Sequence, residues 1–289
     1  MRLMPDSIQH EDLIAAESAT PASGFEAPSS AHHERSDFNP LAAPATYTLI
    51  AINLAVFGIM FPRSPAPEVW RSHHPGMAFL ASFSPEDLVR YGAVSGALVL
   101  GGQWYRLVTA AFVHINPAHI LTNLWCLWNL GLLGEPLLGP MGLIAVYILT
   151  GVAGYLLSIA WDILFHPALA NSLTAGASGA IFGIAGILIV LLSNRRLPIP
   201  WKELRGHRNA VLLFAVVNLA LGGVSIYFSA VRINNSAHLG GVLSGLLLGL
   251  PLVPRMTAGR LRYLRRQKIV FAGAAFVLSL FGYWISRVG

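Results

Sequence analysis

Residues 176–196 read Gly-Ala-Ser-Gly-Ala-Ile-Phe-Gly-Ile-Ala-Gly-Ile-Leu-Ile-Val-Leu-Leu-Ser-Asn-Arg-Arg. From Gly176 to Leu192 the run is apolar except for Ser178 at its start, and two arginines follow its end. That length approaches the ~20 residues that cross a bilayer as a helix. Reading outward, six more runs of this kind stand out. The seven expected spans are Ala45–Phe61, Pro117–Leu133, Met141–Trp161, Gly176–Leu192, Asn209–Phe228, Ser236–Val253 and Ile269–Ser286. The fold class this predicts is an all-α polytopic membrane protein.

Composition agrees. The 289 residues are 55% apolar and 11% charged, against about 25% charged in a typical soluble domain. An ordinary soluble enzyme surface cannot be assembled from them. Cys126 is the single cysteine, which excludes a disulfide scaffold. The net charge of +6 resolves by position. Residues 1–44 hold seven acids (Asp6, Glu11, Asp12, Glu17, Glu26, Glu34, Asp37) and two bases, and read as a disordered acidic tail. Eleven bases fall in two short segments: Arg195, Arg196, Lys202, Arg205 and Arg208, then Arg255, Arg260, Arg262, Arg265, Arg266 and Lys268. Basic loops between apolar runs mark the cytoplasmic side, not a nucleic-acid surface. Even-numbered spans then end inside, the N-terminus is cytoplasmic, and residues 62–116 lie at the outer interface as amphipathic or re-entrant structure.

Polar side chains inside apolar spans are costly and are functional candidates by default. Each even span opens with one. The second begins Asn116-Pro117-Ala118-His119, with Asn116 an expected N-cap, and Asn123 follows one turn after His119. The fourth opens on Ser178 and the sixth on Ser236-Ala237-His238. Topology puts these at comparable depth on the outer side. Gly179 and Gly183 in one span, and Gly241, Gly245 and Gly249 in the other, have the spacing that lets helix backbones approach, bringing Ser178 toward His238. A serine, an imidazole and side-chain donors make an inventory for acyl transfer. Beyond the tail and residues 62–116 the acids are Glu135 and Glu203, on the inner side, and Asp162, the one carboxylate able to complete a triad; a Ser–His dyad fits better. A zinc site of His114, His119 and His238 is an alternative that leaves the glycine–serine element without a role. Asn53, Asn129 and Asn218 read as helix–helix hydrogen-bonding residues and Cys126 as packing.

These residues resemble the rhomboid intramembrane serine proteases. Gly176-Ala177-Ser178-Gly179 matches the Gly-x-Ser-Gly motif, Ala237-His238-Leu239-Gly240-Gly241 resembles Ala-His-x-x-Gly, and His114, His119 and Asn123 fall in the pattern His-x4-His-x3-Asn. Trp104-Tyr105-Arg106 resembles the Trp-Arg signature of the first loop, and Gly134-Glu135 the end of the second helix. The resemblance covers roughly residues 45–253. It implies a six-helix catalytic core at 45–253, with 254–289 supplying a basic cytoplasmic loop and a seventh helix. It also implies Ser178 as nucleophile and His238 as base, with no cofactor or metal. His119, Asn123 and the Ser178 amide would stabilise the oxyanion, and His114 would line or support the site. Arg106 and Trp104 would anchor the first loop, or act as an ordinary interfacial cation and aromatic. The fifth span, Asn209–Phe228, would form a lateral gate. Substrates would be transmembrane segments, in a cell (inner) membrane with the site open to the outer side; a catalytically silent binder or chaperone is the alternative. One departure is Asn234-Asn235, where many members have Asp-Asn. A fourth span of about 17 residues, roughly 26 Å long, would let Ser178 begin below the outer surface.

Overall fold

The computed structural model describes residues 42–65, 68, 78–169, 171–195, 197, 199–228, 234–253 and 259–288. The acidic segment expected at 1–44 falls outside them except for its last three residues, as do Arg196 and Arg255. Helices dominate: α1 (Pro44–Met60), α2 (Pro85–Tyr91), α3 (Gly96–Leu100), α4 (Arg106–Thr109), α5 (Pro117–Leu138), α6 (Pro140–Phe165), α7 (Ser178–Leu191), α8 (Trp201–Phe228), α9 (Asn235–Leu252) and α10 (Arg260–Val288). Each of the seven expected spans falls on a helix. Four of these helices are long and apolar enough to cross a membrane by length and composition. Of the other three, α7 is short, and α5 and α9 carry the polar residues singled out above.

Helix ends differ from the expected ones. α8 begins at Trp201 and α10 at Arg260, so Lys202, Arg205, Arg208 and five of the basic residues before residue 269 lie on helical turns. Charge ends an apolar run but does not end a helix, whose backbone bonds continue into the interface. Arg195 and Arg208 pack over the Trp201 ring at 4.6 and 5.6 Å, which places an aromatic at the start of α8. α7, by contrast, begins two residues later than expected. It has 14 residues, about 21 Å, against a hydrocarbon thickness of about 30 Å.

α7 is the centre of the fold: every residue from Gly179 to Leu188 is buried. It packs against α5, α6, α8 and α9, while α1 packs on α5 and α6, and α10 on α6 and α9. Lipid offers no hydrophobic gain for helix association, so contact depends on close packing of small residues. The α7–α9 interface shows how close. A Cβ on Gly241 would collide with the Gly179 carbonyl, and one on Gly245 with the Gly183 carbonyl.

Polar groups fix the remaining helices. The buried Glu135 carboxylate near the end of α5 accepts the Ala45 and Thr46 amides, each at 2.8 Å, and the Thr46 hydroxyl at 2.7 Å. It thereby supplies the cap that α1 lacks from its own sequence. Asn53 donates to the Tyr147 hydroxyl of α6 at 3.2 Å, and Tyr147 donates to the Ala111 carbonyl at 2.7 Å. Asn129 and Asn218 differ from the expectation for them, since each donates to the carbonyl four residues earlier in its own helix.

Among the described residues between α1 and α5 the helices are the short α2, α3 and α4, beside the single 3-10 turn Phe61–Arg63. Arg106 is 6% exposed and its Nη1 donates to the Val89 and Ala93 carbonyls at 2.7 and 2.9 Å. It ties α2, α4 and their connection together. Trp104 faces Gly282 of α10 instead.

Candidate active site

Local chemistry around Ser178 starts at Gly176, whose φ of +132° belongs to the region open to glycine. A Cβ there would also collide with the His119 ring. The turn is held on three sides. Gly176 N donates to Ala110 O at 2.9 Å, Gly176 O accepts the Tyr155 hydroxyl at 2.7 Å, and Ala177 N donates to His114 Nε2 at 3.4 Å. The bend delays the start of α7 and makes Ser178 its first residue, where backbone amides have no intrahelical acceptor.

His238 lies in the first turn of α9, 60 residues further on, and its Nε2 is 2.8 Å from Ser178 Oγ. With the proton on Nδ1, Nε2 accepts from the serine hydroxyl. The imidazole stacks on Phe182 at 4.3 Å with an interplanar angle of 15°. Phe182 follows Ser178 by four residues and so sits one turn deeper on the same face. Among the described residues no group hydrogen-bonds His238 Nδ1, so Asp162 does not complete a triad.

The pair opens into a cavity of about 380 Å³ lined by residues of α5, α7, α8 and α9 and by 173–176. His119 and Asn123 line it, as do Asn218 and Asn234. Asn123 Nδ2 donates to His119 O at 2.9 Å, which uses one of its two amide hydrogens. As expected, Asn116 caps α5, accepting the His119 amide at 2.8 Å. His114 is fully buried and does not line the cavity; it packs edge-on against His119, with ring centroids 5.2 Å apart, and holds the Ala177 amide. Among the described residues no three His, Cys, Asp or Glu side chains are grouped to hold a metal ion, so His114, His119 and His238 do not form the zinc arrangement.

Two further residues support the site: Asn234, noted from the sequence only as a departure from the Asp-Asn pattern, and Tyr155, which was not singled out. Asn234 caps α9 by accepting the Ala237 amide at 3.0 Å, while its Nδ2 donates to Ser158 Oγ of α6 at 2.7 Å and Thr174 Oγ1 at 3.0 Å. It therefore joins the histidine helix to the loop before the serine. Tyr155 was the other, and its hydroxyl inside an apolar span was the available signal.

Residues 101–255 match the Rhomboid domain. The chain belongs to the rhomboid family. It is 35% identical over 175 residues to rhomboid protease GluP of Bacillus subtilis (strain 168), covering 59% of this chain and 31% of that protein. To RHOMBOID-like protein 5 of Arabidopsis thaliana it is 31% identical over 176 residues, covering 60% and 52%. To rhomboid protease AarA of Providencia stuartii it is 27% identical over 259 residues, covering 85% and 84%. The chain thus spans 31% and 52% of the length of the first two of these rhomboid relatives.

Proposed function

We propose that the protein is an intramembrane serine endopeptidase that hydrolyses peptide bonds in transmembrane segments, using Ser178 and His238 as a dyad. The observation that carries this is the 2.8 Å contact between Ser178 Oγ and His238 Nε2 in a cavity lined by further polar groups. Support comes from family membership and from relatives named as rhomboid proteases.

Ser178 Oγ attacks the scissile carbonyl as its proton passes to His238 Nε2. The imidazolium then gives that proton to the departing amine, leaving an acyl group on Ser178. Water attacks the ester by the same proton route in reverse. The oxyanion is met by the Ser178 amide at the start of α7, with His119 and Asn123 opposite, and the α7 dipole adds positive potential. His114 acts one step back, holding the Ala177 amide and so the serine turn. Phe182 takes the orienting part that a carboxylate plays in a triad, by stacking and not by charge. No cofactor is required.

In this reading the core runs over 45–253, the N-terminus lies on the cytoplasmic side of a cell membrane, and the cavity opens outward. The short α7 lets Ser178 sit below the surface while water enters from above. The test is cleavage of a single-span substrate in detergent by wild type, Ser178→Ala and His238→Ala, with fluorophosphonate labelling alongside. Cleavage and labelling by wild type, lost in both variants, is expected. Undiminished cleavage by either variant overturns the dyad, chelator-sensitive cleavage favours a metal route, and capture of substrate without cleavage by wild type favours a silent binder.

A further inference from the structure

Away from the Ser178 cavity, a groove of about 620 Å³ runs between α4, α6 and α10. Its lining is mostly hydrocarbon: Leu107 and Val108 on one side, Leu149 and Val152 along the floor, Leu278 on the other side. The hydroxyls that reach it are engaged by their own helix. Ser279 Oγ donates to Ala275 O at 2.9 Å and Ser286 Oγ to Tyr283 O at 2.7 Å. Nothing inside the groove therefore calls for a polar guest.

Its mouth is different. Tyr283 lines the groove, and Arg287 Nη2 and Nε donate to the Tyr283 hydroxyl at 2.8 and 3.1 Å, with the guanidinium 5.1 Å from the ring centroid. Arg287 is exposed, and among the described residues no carboxylate pairs with it. Trp104 and Tyr283, which line the groove, are aromatics of the kind that settle at headgroup depth. Hydrocarbon below and a guanidinium above, with no carboxylate partner among the described residues, follow the order of a lipid molecule.

The way α10 is fastened explains the gap. At its start, Gln267 Nε2 donates to Leu138 O at 2.8 Å, the Tyr263 hydroxyl to Leu137 O at 3.2 Å, and Arg266 Nη2 to Val253 O at 2.8 Å. Towards its end the side-chain bonds among the described residues stay within α10, and the groove lies between α10 and α6.

We propose that this groove binds one glycerophospholipid, with an acyl chain along α6 between α4 and α10 and the phosphodiester on Arg287. The site requires no proteolytic chemistry. The lipid would buttress α4, which is followed by Ala110, the residue whose carbonyl holds the Gly176 amide.

The experiment is native mass spectrometry of the full chain in detergent, with phosphatidylglycerol, phosphatidylcholine or diacylglycerol added at equal chain length. Variants are Ala275→Trp and Ser279→Phe, which fill the groove, Arg287→Ala at its mouth, and Leu213→Trp on the lipid-facing side of α8 as control. Thermal unfolding checks that each variant is folded. Wild type and the control are expected to retain one phospholipid. Both groove-filling variants should retain about tenfold less, and Arg287→Ala should lower both phospholipids to the level of diacylglycerol. Equal retention in wild type and both folded groove variants overturns the proposal. So does retention of diacylglycerol as strong as that of phospholipid in wild type, or a wild-type dimer, free of lipid, that the groove variants dissociate.

Discussion

Asn234 carries more of the site's geometry than its place in the sequence suggests. The Asn-Asn pair stood out only as a departure from Asp-Asn. In the structure its oxygen caps α9 and its amide nitrogen reaches Ser158 and Thr174, which are 76 and 60 residues away. An aspartate there would keep the cap. The two hydroxyls, which can donate as well as accept, would turn to meet it. Asn234→Asp is therefore expected to leave thermal stability and fluorophosphonate labelling close to wild type. Asn234→Ala should cost about 1 kcal/mol for the cap alone and slow labelling of Ser178. Equal losses in the two variants would show that the amide hydrogens, not the cap, are what matters. Ser178, His119 and His238 were legible because a polar side chain opening an apolar run is conspicuous. Asn234 was not, because its partners are set by tertiary contact and no local spacing announces them. His114, which the resemblance gave as lining or supporting the site, lies behind the cavity wall and holds the Ala177 amide.

At the scale of helices, the α7–α9 contact sets the distance between serine and histidine. Glycine spacing at 179, 183, 241 and 245 was readable in advance, and so was its consequence that Ser178 approaches His238. Helix ends were less readable, since α8 and α10 run on through basic residues while α7 is cut short by the Gly176 turn. The contact makes a sharp comparison possible. Gly241→Ala places a methyl against the Gly179 carbonyl, whereas Gly273→Ala on α10 meets nothing within 4 Å. Overpacking at Gly241 should cost about 1–3 kcal/mol in unfolding free energy. It should also slow Ser178 labelling by about tenfold or more, because small displacements of reacting groups are costly. Gly273→Ala should be neutral, or raise stability by up to about 1 kcal/mol through helix propensity. A stable, fully reactive Gly241→Ala protein would mean that the two helices can part without disturbing the pair.

For the whole molecule, the orientation proposed from charge and hydrophobicity is one that a labelling experiment can read. With Cys126 replaced by serine, single cysteines at Ser193 and at Ser286 are expected on opposite faces in the proposed topology. A membrane-impermeant maleimide added to intact cells should label Ser286→Cys and leave Ser193→Cys unlabelled until the membrane is opened. The reverse pattern would invert the proposed topology and turn the Ser178 cavity toward the cytoplasm. Seven apolar runs made the seven helices of 14 residues or more legible, and Asn53 was readable as a helix–helix donor, but the partners of the other long-range polar bonds were not. Glu135 is the instructive case. Its carboxylate closes the start of α1 across 90 residues of sequence. In the order of synthesis, α1 leaves the ribosome well before the side chain that completes it, so its first amides wait through the making of the entire first loop and most of α5. A nascent chain halted before Glu135 would hold α1 without its cap. The helix made earliest among those described is one whose beginning is finished late.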